Sequence, residues 1–388
     1  MRLDGQKVLL VGLSGWPLPN LKSGVEALGG TLERYLLSYS MARPRWSDGG
    51  RAQAARNQGL REFVSAMKPL PSLAVFFTYD DCLEPETLRY FRKLGIFTVC
   101  YHVDMLTQWY RVLRTGPHFD LVAASQKCNI AALRSHGIRA EFIPMAAPQA
   151  DTEAAPECEN VIGYLGGPQY YRLWMLKRLS EHFPMRYYGR WFPDEDAKKD
   201  RQAGFVPDPA LSPEPPSLAG SMNRAFFNAR YVPAILRHSP YVLTDRFRTP
   251  RFGVSAEELK KDWRGPVAQE DMARTMARSF LNIGFTYFSG VPGASSERRQ
   301  CRLREFEGPL QSLQGPYLMQ AFPELDDLYE KDEEVIVWDS FDELVSKARA
   351  LFADPASARR IAEKGRLAVR ARHLWSHRIE QILSYRRR

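Results

Sequence analysis

Residues 73–101 read LAVFFTYDDCLEPETLRYFRKLGIFTVCY. Two short apolar runs, Leu73–Thr78 and Ile96–Tyr101, flank an amphipathic stretch, Pro85–Leu94, that stops at Gly95. The runs are continuously apolar rather than alternating, so each predicts a strand buried on both faces. Strands of that kind separated by a helix predict a parallel sheet covered on both sides.

The same rhythm extends in both directions. Upstream lie a strand over Lys7–Leu13, a helix over Leu21–Leu28 closed by Gly29-Gly30, and a helix over Leu60–Met67. Downstream lie a strand at Leu121–Ser125, a helix at Ile130–His136 ended by Gly137, and a strand at Glu141–Met145. Residues 146–159, AAPQADTEAAPECE, are small, acidic and proline-containing and read as a linker. The pattern restarts with strand Val161–Leu165, helix Tyr171–His182 and strand Met185–Tyr188. Six prolines between Pro193 and Pro216 break it, so residues 192–262 read as an insertion. It resumes with helix Met272–Arg278, strand Phe280–Phe285, helix Arg304–Leu313, and strands Tyr317–Met319 and Glu334–Trp338. Ser340 with Glu343 forms a capping box, and Asp354-Pro355 opens a further helix.

The expected class is therefore α/β, with two Rossmann-like, doubly wound parallel-sheet domains facing a cleft. Their expected spans are 1–150 and 151–373, with a last helix over 374–388 crossing back to the first domain. A chain of 388 residues suits two domains. In that helix Leu374, Trp375, Ile379, Ile382 and Leu383 form one apolar stripe.

The longest apolar runs are strand-sized, well below the ~18 residues of a membrane helix. The start runs directly into a strand pattern without a signal-peptide core. Cys82, Cys100, Cys128, Cys158 and Cys301 are odd in number and never spaced CxxC, which argues against disulfides or a zinc ribbon. The expected location is cytoplasmic. Net charge is +9, and residues 349–388 carry eleven Lys/Arg against three Asp/Glu, so the excess concentrates there. Such a run serves as a solvated helix face, a peripheral contact with an anionic membrane, or a polyanion site. No aromatic-interleaved basic strand accompanies it, so no nucleic acid is expected.

Ligands of doubly wound sheets bind at the carboxyl ends of the strands. There Tyr164-Leu165-Gly166-Gly167-Pro168, followed by Arg172, offers a phosphate close access to backbone, a helix N-terminus and a guanidinium. The same residues also suit a plain tight turn. In the first domain Tyr101-His102-Val103-Asp104 follows a strand, which makes His102 and Asp104 candidates for touching the transferred sugar or acting as general base; a structural histidine is the competing reading. Ser14, Gly15 and Trp16, after the first strand, are candidates for the acceptor pocket. Asp194-Glu195-Asp196 spells a metal-binding DxD but lies in the proline-rich insertion. His373 and His377 have zinc spacing without a third ligand nearby. No metal or cofactor is expected.

The segment Cys301–Glu330, CRLREFEGPLQSLQGPYLMQAFPELDDLYE, contains Arg304-Glu305-Phe306-Glu307-Gly308-Pro309, then Gly315 and Tyr317-Leu318. This resembles the R-x-F-E-x-P…G…YL signature of the spore-maturation, CgeB-like glycosyltransferases, a branch of the retaining group-1 type with the GT-B fold. The similarity continues through Pro323-Glu324-Leu325, Phe341-Asp342-Glu343-Leu344, Ile361–Arg366, His373 and Arg378. Val161–Arg172 resembles the family's donor-domain opening. The resemblance implies a nucleotide-diphosphate sugar as donor and an unidentified glycan, protein or small molecule as acceptor. It implies that Glu307 takes hydrogen bonds from the ribose diol, that Arg172 and Arg304 face the diphosphate, and that Gly166, Gly167 and Gly315 belong to the donor site. An ion pair on a helix surface is the alternative for Arg304 and Glu307. Arg299 stands where related retaining enzymes often carry a second glutamate, which leaves a catalytically silent nucleotide- or glycan-binding protein as the rival function.

Overall fold

The computed structural model describes residues 2–12, 18–36, 51–80, 82–149, 157–167, 170–189, 229–244, 256–287 and 298–386. The chain begins with β1 (Lys7–Gly12), α1 (Leu18–Ala27), β2 (Thr31–Leu36), α2 (Arg51–Ala66), β3 (Leu73–Phe77), α3 (Pro85–Lys93) and β4 (Phe97–His102). It continues with α4 (Met105–Gln108), β5 (Leu121–Ala124), α5 (Ile130–Ser135) and β6 (Ala140–Phe142). These six strands form one sheet in the order β2-β1-β3-β4-β5-β6, all neighbours parallel. The register sets Val8 beside Leu73, Leu73 beside Phe97 and Val99 beside Leu121. The most apolar stretches of four strands thus lie side by side, and every residue of β3 is buried. Each buried Leu, Val or Phe side chain there contributes roughly 1.5–3 kcal/mol relative to exposure. Pro85 starts α3 from the extended Glu84, and Gly95 ends it at φ 73°, a left-handed conformation that suits glycine.

After residue 156 come β7 (Glu159–Leu165), α6 (Tyr170–Ser180), β8 (Met185–Tyr188), α7 (Val232–His238), α8 (Tyr241–Thr244), α9 (Ala256–Lys260) and α10 (Met272–Ala277). They are followed by β9 (Ser279–Gly284), α11 (Arg304–Gln311), β10 (Tyr317–Gln320), β11 (Ile336–Trp338), α12 (Phe341–Ala353), α13 (Pro355–Arg372) and α14 (Trp375–Arg386). The second sheet is also wholly parallel, in the order β11-β10-β9-β7-β8. Ser340 caps α12 by accepting the Glu343 N–H at 3.2 Å, while Glu343 accepts the Asp339 N–H at 2.9 Å. Asp354 caps α13 through the Ser357 N–H at 3.0 Å, with Pro355 in the first turn.

The chain divides into two compact units. The first holds residues 1–149, 207–244 and 375–388, and the second holds 150–206 and 245–374. This corrects the reading of 192–262 as an insertion of the second domain alone. Tyr231, Ile235 and Val242, from the α7–α8 segment, join the core of the first sheet. The anchor is polar and non-local: Tyr231 donates to the buried Asp80 carboxylate at 2.6 Å, and Trp109 Nε1 donates to Ser239 at 2.7 Å. Asp80 also accepts from Arg114 N–H at 2.9 Å, Thr115 N–H at 2.8 Å and Thr115 Oγ1 at 2.6 Å. Its burial nevertheless raises the carboxyl pKa, because four donors only partly replace water. In contrast, Leu259 of α9 packs in the second core. Residues 146–149 of the expected linker belong to the first unit, where Ala147 C=O accepts the Trp375 N–H at 3.1 Å.

The same unit takes up α14. Trp375, Ile379, Ile382 and Leu383 are buried, and the Trp375 ring lies 5.4 Å from Tyr101 and 6.5 Å from Phe77. Gly24 of α1 lets the two helices touch, since a Cβ there would stand 2.7 Å from Trp375 Cβ. Arg378 is buried off the apolar stripe, and its Nε donates to Pro144 C=O at 2.9 Å and Met145 C=O at 3.2 Å. No helix among the described residues is long and apolar enough to cross a membrane.

Candidate functional site: the carboxyl edge of the second sheet

Strand β7 ends at Leu165, and Gly166 N–H continues the ladder to Tyr188 C=O at 3.0 Å. A Cβ on Gly166 would collide with the Tyr164 hydroxyl, and one on Gly189 would collide with Gly166 C=O, so the turn closes only with glycines. Gly167 differs. It is exposed, and a Cβ on it would meet nothing within 4 Å. The turn is therefore packed below and open above, the condition for an anion to reach backbone. Pro168 lies outside the described residues.

Arg172 sits on α6, only 8% exposed, and its Nη1 donates to the Tyr164 hydroxyl at 3.2 Å. That hydroxyl in turn donates to Gly167 C=O at 3.3 Å. The Arg172 Nε is buried and has no hydrogen-bond partner among the described residues.

Across the edge, α11 brings Arg304, Glu305 and Glu307. Glu307 is 2% exposed and pairs with Arg304 at 2.7 Å, while the other Arg304 amine contacts Met272 Sδ at 3.6 Å. The predicted ribose carboxylate is thus buried, and the half-buried Arg304 pairs with it along the helix, the ion pair expected as the alternative for these two residues. Glu305 points elsewhere, as residues two apart on a helix must. Its Oε2 accepts the Arg302 N–H at 2.8 Å and so caps the helix start. Burial pushes its carboxyl up to about 7, opposed by the positive charges of Arg302 and Arg172. The Tyr317 ring lies under α11, where a Cβ on Gly308 or Gly284 would overlap it. Its hydroxyl has no partner among the described residues, and burial, with the negative charge of Glu305, raises its pKa well above the ordinary value.

Two further groups stand at this edge, of which only the second was singled out in the sequence. Gln320 ends β10, where its Oε1 accepts Thr286 N–H and Tyr287 N–H, each at 3.1 Å, and its Nε2 donates to Tyr171 at 2.7 Å. Strand ends β9 and β10 are thereby tied to α6. Arg299 donates to Ala321 C=O at 3.2 Å and pairs with Asp339 beyond β11. The signal for Gln320 was only its place at the end of a strand, and that for Arg299 its place where related retaining enzymes often carry glutamate.

The structure separates Gly315 from this group. A Cβ there would stand 2.5 Å from Phe280 C=O, at the amino-terminal end of β9. Gly315 allows close packing at the opposite edge of the sheet, not contact with a ligand at the carboxyl edge.

In the first unit His102 ends β4 and is wholly buried, its ring tilted against that of Tyr79 with centroids 4.5 Å apart. Its Nε2 meets Gln108 C=O at 3.1 Å, and its Nδ1 has no partner among the described residues. Burial, aided by the Arg111 charge, pushes its pKa down to about 3. An imidazole that weakly basic and that enclosed does not act as a general base near neutrality, which corrects the expectation for His102. Asp104 is partly exposed and accepts from Gln108 Nε2 at 3.1 Å. Ser14, Gly15 and Trp16 lie outside the described residues, as do Asp194 and Asp196. His373 is buried, its Nε2 on Leu328 C=O at 2.8 Å and its ring 4.9 Å from Tyr329. No group of three His, Cys, Asp or Glu suited to a metal ion occurs among the described residues.

Solved structures of the same architecture cover nearly all of the chain. Sucrose-phosphate synthase from Thermosynechococcus elongatus superposes with a TM-score of 0.55 at 12% identity, over 98% of both chains. The Anabaena protein HepE, in complex with UDP-glucose, gives 0.53 at 13% identity, over 97% of this chain and 98% of that one. The chain has the GT-B fold. A UDP-forming α,α-trehalose-phosphate synthase from Burkholderia vietnamiensis has this fold too, with 0.54 at 10% identity over 99% and 100% of the two chains. Residues 219–384, less than half of the chain, match a family described as glycosyl transferase-like. None of the curated proteins matches in sequence. Within the GT-B fold, Gly166, Gly167, Arg172, Arg304 and Glu307 all belong to the second unit.

Proposed function

We propose that the protein is a glycosyltransferase whose second unit binds a nucleoside-diphosphate sugar and releases the diphosphate as the sugar passes to an acceptor. The observation that carries this reading is the edge just described, where an open glycine turn, a buried arginine with an unmade hydrogen bond and a buried Glu307 paired with the half-buried Arg304 belong to one compact unit. A ribose diol offers two donors and the Glu307 carboxylate two acceptors. Arg172 and Arg304 counter the charge that grows on the departing diphosphate, which supports transfer without a metal ion. HepE, with the same fold, is seen with UDP and with UDP-glucose, which makes UDP-hexoses the first donors to test. Retention at the anomeric carbon and placement in the CgeB-like branch rest on the sequence resemblance. The acceptor is a glycan, protein or small molecule.

The test is a thermal-shift panel of nucleoside diphosphates and their sugars, followed by a donor-hydrolysis assay. A ligand at 100 times its Kd stabilises by about 2.7 kcal/mol. No shift with any member of the panel refutes the donor site. Arg299, held by Asp339 at the place where related enzymes often carry glutamate, supports the rival reading of a silent binding protein. Nucleotide binding without hydrolysis or transfer would select that rival.

A further inference from the structure

Tyr164 ends up with two duties that its position inside β7 does not require. Its ring packs 5.5 Å from Tyr187 and 5.3 Å from Phe285, enough to account for an aromatic residue there. The hydroxyl does something else. It accepts from Arg172 Nη1 at 3.2 Å and donates to Gly167 C=O at 3.3 Å, joining the open glycine turn to the guanidinium. A free arginine side chain has rotamer entropy that a ligand must otherwise freeze out. A guanidinium already held through Nη1, with Nε buried and unpartnered among the described residues, is aimed before a ligand arrives. Its surroundings are set as well, because the Glu305 carboxyl and the Tyr317 hydroxyl both interact electrostatically with it.

We propose that Tyr164 is a positioning residue of the donor site, its hydroxyl fixing Arg172 and the Gly167 turn in the arrangement that receives a diphosphate. This rests on the donor-site reading above. It goes further by assigning to a strand residue, with no ligand contact of its own, a share of the affinity for the diphosphate but none of the affinity for the nucleoside.

The experiment is calorimetric titration of UDP and of uridine into the full-length protein, with GDP and guanosine as a parallel arm. The proteins are wild type, Tyr164→Phe, Arg172→Gln and the double variant, and Tyr164→Phe retains the ring contacts and so the fold. The expected result is a five- to tenfold weaker Kd for the diphosphate in Tyr164→Phe with the nucleoside Kd unchanged. In the Arg172→Gln background the same substitution should weaken the diphosphate Kd clearly less than it does in wild type, since only the hydroxyl's bond to Gly167 C=O is then left to lose. Equal losses for diphosphate and nucleoside, additive losses in the double variant, or no loss at all would each overturn the proposal. A wild-type protein that binds neither diphosphate fails at the prior step and refutes the donor site itself.

Discussion

Glu305 offers the sharpest test of the physical reading of this site. Its carboxyl is held at about 7 by burial, against an ordinary value of 4.5, with Arg302 and Arg172 opposing the shift and the Tyr317 hydroxyl facing it. Because the folded pKa is raised, the folded chain holds this proton more tightly than the unfolded chain. The resulting stabilisation is complete below pH 4.5 and is lost as pH rises through 7. At 1.36 kcal/mol per tenfold in proton affinity, the full effect is about 3 kcal/mol. Glu305→Gln keeps an oxygen to accept the Arg302 N–H but cannot ionise. The variant should therefore gain on wild type by about 2–3 kcal/mol between pH 5 and pH 8.5. For a unit of this size that widens the difference in Tm by roughly 5–10 °C. Thermal scans of both proteins at the two pH values measure it, and taking the difference between proteins cancels Asp80 and the histidines. A gap that stays constant with pH would show that Glu305 is not buried as described.

Gly308→Ala should destabilise by about 1–3 kcal/mol, because the fully buried Tyr317 ring occupies the space of the new methyl group; Gly167→Ala, facing open space, should lie within about 0.5 kcal/mol of wild type, and urea denaturation compares them. Tyr231→Phe removes one of the donors to buried Asp80 and should cost about 1–3 kcal/mol, visible as faster proteolysis within residues 229–244. Glu307→Gln should weaken UDP binding about tenfold or more by calorimetry while the far-UV spectrum stays unchanged. Donor hydrolysis should persist in excess chelator; loss that manganese or magnesium restores would bring Asp194 and Asp196 back as ligands.

How much could be read in advance depended on where each residue's partners lie in the chain. Strands β3 and β4 were legible because both faces are covered, so their runs are apolar throughout. Strand β2, TLERYL, escaped because it is an edge strand with half-exposed or exposed side chains and so carries no apolar run. The first half of α2, RAQAARNQG, escaped because two of its buried positions are Arg56 and Asn57. Residues 229–244 were misassigned because their partners, Asp80 and Trp109, lie more than a hundred residues away. In the candidate site, Arg304 and Glu307 were singled out through a sequence signature, and Arg172 through the Gly-Gly turn that precedes its helix. Glu305 and Glu307 differ by two positions and cannot be told apart by residue type; only the helix direction gives one to a cap and the other to Arg304. Gly315 was misplaced because a glycine before a strand has the same appearance at either edge of a sheet.

The first unit is assembled from three stretches that are far apart in the chain, and its third stretch, α14, fills a slot lined by Tyr101, Phe77 and Gly24. On the ribosome, the first 149 residues emerge with that slot empty and wait until α14 has been made. Meanwhile the second unit can complete its own sheet. The order of synthesis and the order of completion are thus reversed, and the early-made sheet is the one that must be kept from aggregating. A stop codon only a few residues before Trp375 would spare every strand of both sheets, yet leave the unit synthesised first with an exposed aromatic face.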